Sequence, residues 1–133
     1  MRVVVFTLLF SSFIFGASSY EMAAKYAKFY KKAIPLRCNS NLVLNDLLNV
    51  GDNLLYRYAV NDTKKTWVSK FNTQELKKYA DETRKMNLAQ ICQDSEAMAM
   101  LDNNITMDQV FYTQDGRLLF NYQINKLDCI NKR

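Results

Sequence analysis

The 133-residue chain has no histidine, only three glycines and a single proline. Without an imidazole it lacks the usual general base and the commonest nitrogen ligand for a metal. So few glycines leave no glycine-rich phosphate loop, and no serine sits in an elbow motif. No apolar run reaches the roughly 20 residues that a membrane-spanning helix needs. The longest is Val3 to Ala17, 15 residues. No basic stripe with interleaved aromatics is present, which argues against nucleic acid. Lys64-Lys65 and Lys77-Lys78 alternate with Asp and Glu, the pattern of a solvated surface, and the mild basic excess reads as spread along the chain.

That apolar run follows Arg2 and ends in "GASSY", where Ala17 and Ser19 fit a small-x-small cleavage rule. Residues 1–19 are therefore expected to be a cleaved secretory signal, and residues 20–133 a single domain, large enough for one core. The expected location is periplasmic or secreted. No cysteine lies near the cleavage point, so no lipid anchor is expected.

Three cysteines remain, Cys38, Cys92 and Cys129. In an exported protein they imply one disulfide and one odd thiol. Their spacings match no zinc pattern, and no cofactor motif is present.

Helical spacing of Met22, Tyr26, Phe29 and Tyr30 predicts a first helix, stopped at Ile34-Pro35. Leu42, Leu44, Leu48 and Val50 alternate with Asp46 as an interruption. After a turn at Gly51-Asp52, Leu54, Tyr56, Tyr58 and Val60 alternate again, giving two antiparallel strands. Asn72 and Glu75 form a capping box for a long helix to about Cys92, with Leu76, Tyr79, Ala80, Thr83 and Met86 on one face. Asp94 or Ser95 caps a short helix through Leu101. Strands then run from Ile105 to Tyr112 and from Arg117 to Ile124, hinged at Gly116, with Leu118, Phe120, Tyr122 and Ile124 on one face. The expected fold is α+β: a four-stranded antiparallel sheet of two hairpins, with helices mainly on one face.

Cys92 ends the long helix and Cys129 ends the last strand, so a helix lying on the sheet brings both to one rim. A bridge between them would close a loop of about 37 residues and add roughly 4 kcal/mol on the chain-entropy model. Cys38 with Cys129 is the next choice, because Cys38 leads into the first strand.

The segment "ICQDSEAMAMLDNNITMDQVFYTQDGRLLFNYQINKLDC", with "IPLRCNSNLVLNDLLNVGDNLLYRYAVND" before it, resembles a group of small exported proteobacterial α+β proteins. The group includes the beta-type pilotins of type II secretion and the quorum-sensing-regulated virulence factor-like proteins. The likeness covers most of residues 21 to 129. It implies an accessory factor that holds a short amphipathic helix or strand of an envelope assembly in a groove between sheet and helix. Two features depart from it: beta-type pilotins are lipoproteins and this chain has no lipidation cysteine, and Cys38 has no place in the pattern.

Eight tyrosines and eight phenylalanines offer material for such a groove. Tyr56, Tyr58, Phe111, Tyr112, Phe120 and Tyr122 fall on the expected strands, where core filling and cross-strand pairing are the plainer reading. Trp67 reads as a lid on the core or a partner-facing anchor. Met98 and Met100 with Leu101 could line an adaptable surface or close the core. Candidate partner-binding residues are thus Tyr56, Tyr58, Trp67, Met98, Tyr112 and Tyr122. Asp81-Glu82 and Glu96 are the only carboxylates suggesting paired acid–base work, and adjacent helix positions do not face each other. Asn61 and Asn104 begin glycosylation sequons, the latter with Asp102 two residues before it.

The expected function is protein binding without chemistry, with a partner in the cell envelope or outside the cell. The alternative is a secreted effector or inhibitor of an extracellular enzyme; a hydrolase with an unrecognised site comes third.

Overall fold

The computed structural model describes residues 18–130; the expected secretion signal lies outside them, apart from Ser18 and Ser19. Helix α1 spans Ser19–Tyr30 and is followed by a 3₁₀ turn, Lys31–Ala33. Strands β1 (Leu36–Asn39), β2 (Leu42–Val50) and β3 (Asn53–Val60) come next. After a second 3₁₀ turn, Val68–Lys70, the chain forms α2 (Thr73–Ile91) and α3 (Ser95–Asp102). Strands β4 (Met107–Thr113) and β5 (Leu118–Ile124) precede a short α4 (Lys126–Ile130).

The fold is α+β, but the sheet is five-stranded and mixed, in the order β1-β2-β3-β4-β5. Two expectations change here. First, the hairpins β2–β3 and β4–β5 join through a parallel β3–β4 pair, Leu54 opposite Met107 and Val60 opposite Thr113. The α2–α3 connection returns the chain to the end of the sheet where β3 began, and a return of that kind makes the next strand parallel. Second, β1 is an additional strand at the edge, paired antiparallel with β2. All four of its residues are exposed, so it carries no alternation that a sequence pattern could reveal.

Helix ends are where the sequence specifies structure most directly. Ser18 Oγ accepts from the Glu21 N–H at 3.2 Å while Glu21 Oε1 accepts from the Ser18 N–H at 3.2 Å. Asn72 and Glu75 make the same reciprocal pair on α2, at 2.8 and 3.0 Å. Each box satisfies two donors that the first helical turn leaves open.

A β-bulge corrects the expected face of β2. The register slips between Leu44 and Asp46, so Leu44 and Leu47 both face the core. Leu48 and Val50 consequently turn to the opposite face, against the simple alternation of Leu42, Leu44, Leu48 and Val50. The same happens at the start of β5: the register shifts opposite Phe111 and Tyr112, burying Leu119 and leaving Leu118 55 % exposed. On α1 the buried stripe is Met22, Ala23 and Ala27, with Tyr26 and Tyr30 alongside, while Phe29 faces outward.

One core gathers all four helices on a single face of the sheet. Met22 and Ala23 from α1, Leu88 from α2, Met100 and Leu101 from α3 and Cys129 from α4 meet Leu47, Leu54, Met107 and Ile124. A smaller cluster of Val60, Val68, Phe111 and Leu119 lies towards the other end, closed by Trp67, Phe71, Tyr79 and Phe120. Tyr58 and Tyr122 touch both clusters.

Candidate functional site: the groove beside α2

Helix α2 is 19 residues long and buries one of them, Leu88. It packs chiefly on β5, whereas α1 packs on β2 and β3. Between α2 and the β1–β2 edge lies a groove of about 200 Å³. Tyr58 and Phe111, stacked with ring centroids 4.6 Å apart, lie in it from the middle of the sheet. One wall is α2, with Tyr79, Thr83, Met86, Asn87 and Gln90; the other is the β1–β2 edge, with Cys38, Asn39 and Leu42.

What holds α2 here is local. At its C-terminal end Cys92 is bridged to Cys129, with Cα atoms 5.4 Å apart. Arg84 pairs with Asp128 at 3.0 Å, and Asn87 Nδ2 donates to the Tyr122 hydroxyl at 2.9 Å. At the N-terminal end the Tyr79 ring meets Trp67 and Phe120 edge-on, each at 5.5 Å. Cys129 lies in α4, beyond the last strand, so the bridge ties helix to helix and not helix to strand end as expected.

None of the lining residues carries a formal charge at neutral pH. Burial pushes the Tyr58 phenol far above its ordinary range, and the nearby Cys38 adds to the rise. The Tyr79 phenol is raised by burial, partly offset by a hydrogen bond with Thr83. Cys38 is the one cysteine outside the disulfide and is exposed as a residue, yet desolvation at the groove wall lifts its thiol, against a smaller lowering from a Leu44 backbone hydrogen bond. Rings, a thioether, amides, hydroxyls and a protonated thiol offer apolar area and hydrogen bonds, with no group poised to move a proton near neutral pH.

The six candidate binding residues divide. Tyr58 lines the groove, and Tyr122 supports its helical wall through Asn87. Tyr56 is buried in the core with its hydroxyl 3.8 Å from Met107 Sδ. Trp67 is half-buried in the aromatic cluster and donates from Nε1 to the Asn61 carbonyl at 3.0 Å. Met98 packs against the larger core. Tyr112 belongs to the opposite face of the sheet, where Arg57 sits 4.8 Å over its ring. Sequence reasoning passed over Cys38 and Gln90 as lining residues. It assigned Tyr79, Thr83 and Met86 to the face of a helix laid flat on the sheet. Met86 proves to be 64 % exposed, a large apolar side chain beside a stripe that the core does not use.

The carboxylates considered for chemistry do not converge. Asp81 is exposed and pairs with Lys77 at 3.0 Å, Glu82 is its exposed neighbour, and Glu96 is buried on α3 where its Oε1 accepts from the Tyr30 hydroxyl. A wider depression of about 530 Å³ lies where the loops after β3 and β4 meet. Its two carboxylates hold their own loops. Desolvation, the largest single influence, raises the Asp62 carboxyl, but hydrogen bonds from Ser69, Thr66 and Trp67 together leave it below the usual range. Asp115 is lowered chiefly by the Thr113 hydroxyl. Among the described residues no group of three or more Cys, Asp or Glu side chains is placed to hold a metal, and no helix is long and apolar enough to cross a membrane.

No family model and no curated protein matches this chain in sequence. Solved structures do match in fold. A candidate secreted protein from Pseudomonas aeruginosa superposes with a TM-score of 0.69 at 15 % identity, over 86 % of this chain and 99 % of its own. The type 2 secretion system pilotin EpsS from Vibrio vulnificus gives 0.67 at 16 % identity, over 84 % and 91 %. The type II secretion pilotin AspS from Vibrio cholerae gives 0.64 at 14 % identity, over 84 % and 92 %. The chain therefore has the fold of these proteins, in agreement with the resemblance drawn from its residues.

Proposed function

We propose that the protein is an exported, non-enzymatic binding domain, an accessory factor of an envelope or secretion assembly that holds a short amphipathic segment of a partner protein in the groove beside α2. The observation that carries this reading is the groove's chemistry. It presents aromatic and thioether area with a few amides and hydroxyls and no charge, which suits an apolar stripe of a helix or strand and supplies nothing for catalysis. The shared fold with two secretion pilotins supports an envelope partner, and the fold of a candidate secreted protein supports export.

Met86→Glu tests the reading without disturbing the core, since the side chain is already exposed. A charge set into an apolar contact should weaken capture of the envelope partner at least tenfold, judged by the cost of burying an unpaired charge. Tyr112→Ser, on the other face of the sheet, should leave capture unchanged. Equal capture by wild type and Met86→Glu moves the binding site elsewhere. Loss of function in a folded Asp81→Asn/Glu82→Gln variant would instead reopen catalysis.

A further inference from the structure

The basic excess of the protein is concentrated in one place. Residues 19–37 carry five cations, Lys25, Lys28, Lys31, Lys32 and Arg37, against one carboxylate, Glu21, whereas from residue 38 onward twelve cations meet twelve carboxylates. The charge that looked dispersed therefore belongs to α1, the turn that follows it and the start of β1.

The structure shows which way that charge faces. Met22, Ala23 and Ala27 of α1 are buried against the sheet, so the opposite side of the helix looks outward. Lys28 of α1 and Lys32 of the 3₁₀ turn that continues it are both exposed, four residues apart. Lys31, at the helix flank, leans to Asp46 at 3.7 Å. Phe29, between the two lysines in sequence, is 49 % exposed. An exposed ring beside exposed lysines suits a boundary between water and an apolar phase, where rings settle at headgroup depth and lysine stems lie flat.

The ring and the lysines together identify the partner. A soluble polyanion answers the lysines alone, whereas an anionic phospholipid surface takes the charge of the lysines and the ring of Phe29 together. From these observations we infer that the outward face of α1, centred on Lys28, Phe29 and Lys32, docks onto an anionic phospholipid surface. This surface lies on α1 and shares no residue with the groove beside α2, so either can fail without the other.

The test is co-sedimentation of the purified protein with vesicles of phosphatidylethanolamine and phosphatidylglycerol, set against vesicles of phosphatidylcholine alone. Binding should be strong to the anionic vesicles, weak to the neutral ones, and should fall as salt rises. Lys28→Gln/Lys32→Gln should lose roughly thirtyfold in affinity, about fivefold per lysine. Lys77→Gln/Lys78→Gln removes the same charge from α2 and should bind like wild type. Both variants lose the same charge, so their difference reads α1 alone. The inference is overturned by equal binding to both vesicle types, by equal loss in both double variants, or by no loss in Lys28→Gln/Lys32→Gln. Retention of the protein on polyphosphate but not on vesicles overturns it too, pointing to a soluble polyanion.

Discussion

The Cα atoms of Cys92 and Cys129 stand 5.4 Å apart, and the bridge between them joins the end of α2 to the middle of α4. Because α2 buries only Leu88, this bond, the Arg84–Asp128 pair and the Asn87–Tyr122 hydrogen bond keep the helical wall of the groove in place at that end. Replacing either cysteine with Ser should lower stability by roughly 2–5 kcal/mol, whereas Cys38→Ser, at an exposed site, should cost well under 1 kcal/mol. Denaturant titration of the three variants measures the contrast, and non-reducing peptide mapping identifies the linked pair directly. A linked Cys38 peptide from the native protein contradicts the assignment.

Export should leave a mature chain that begins between Ser18 and Tyr20, and the start point has a structural consequence. Ser18 caps α1, with its own N–H and Oγ engaged by Glu21. A chain that keeps Ser18 retains the capping box; one that starts at Tyr20 loses it, at a cost of about 1 kcal/mol in α1. N-terminal sequencing of the native protein reads the start, and an intact Met1 on a membrane-embedded form contradicts export by cleavage.

Local signals carried the Asn72–Glu75 capping box, the Gly116 turn and the strands β3 and β4, because each rests on residues adjacent in sequence; the matching Ser18–Glu21 box was seen only in the structure. The bulges at Asn45 and Leu119 did not show, since a one-residue slip reverses inside and outside without changing composition. The parallel β3–β4 pair depends on where a long helical connection returns the chain, which no local pattern encodes. The groove was the least legible part. It exists because α2 sits on β5 and leaves the sheet open up to the β1–β2 edge, and the sequence of α2 alone reads as an ordinary amphipathic helix. Tyr58 was recognised as a surface candidate and Tyr112 equally so, although they project from opposite faces of the sheet.

Alkali should loosen the protein from the groove outward. Burial raises the Tyr56 and Tyr58 phenols well above their ordinary range, and Tyr122 is pushed up to about 12, by burial first, with Asn87 and Arg84 opposing it. An unfolded tyrosine ionises near pH 10, so each raised phenol stabilises the fold fully below that pH. That stabilisation is lost as pH climbs from about 10 towards the folded values. Thermal midpoints should therefore be insensitive to tyrosine ionisation up to about pH 9 and drop steeply above pH 10. Absorbance titration near 295 nm should show an early group of exposed tyrosines and a delayed group that ionises with unfolding. Simultaneous ionisation of all eight tyrosines near pH 10 in a folded protein contradicts the packing described for Tyr56, Tyr58 and Tyr122.

Gln109 occupies the centre of β4 on the core face, between Met107 and Phe111 and in register with Tyr56 and Tyr122. It is fully buried, and neither its amide nitrogen nor its amide oxygen has a hydrogen-bond partner among the described residues. A buried amide without partners costs on the order of 1–3 kcal/mol, because the groups that water would have satisfied are left bare. Gln109→Met keeps the length and much of the volume while removing both polar atoms. The variant should be more stable than the parent by about 1–2 kcal/mol, measured by urea denaturation with an unchanged m value. Phe111, two residues along the same strand and the same face, lines the groove, so partner binding should be measured beside stability. A variant that gains stability and keeps its partner shows the amide to be a tolerated cost of the core. One that gains stability and loses its partner assigns Gln109 to recognition, through the strand that supports the groove. Destabilisation by Gln109→Met contradicts the reading of Gln109 as an unsatisfied group.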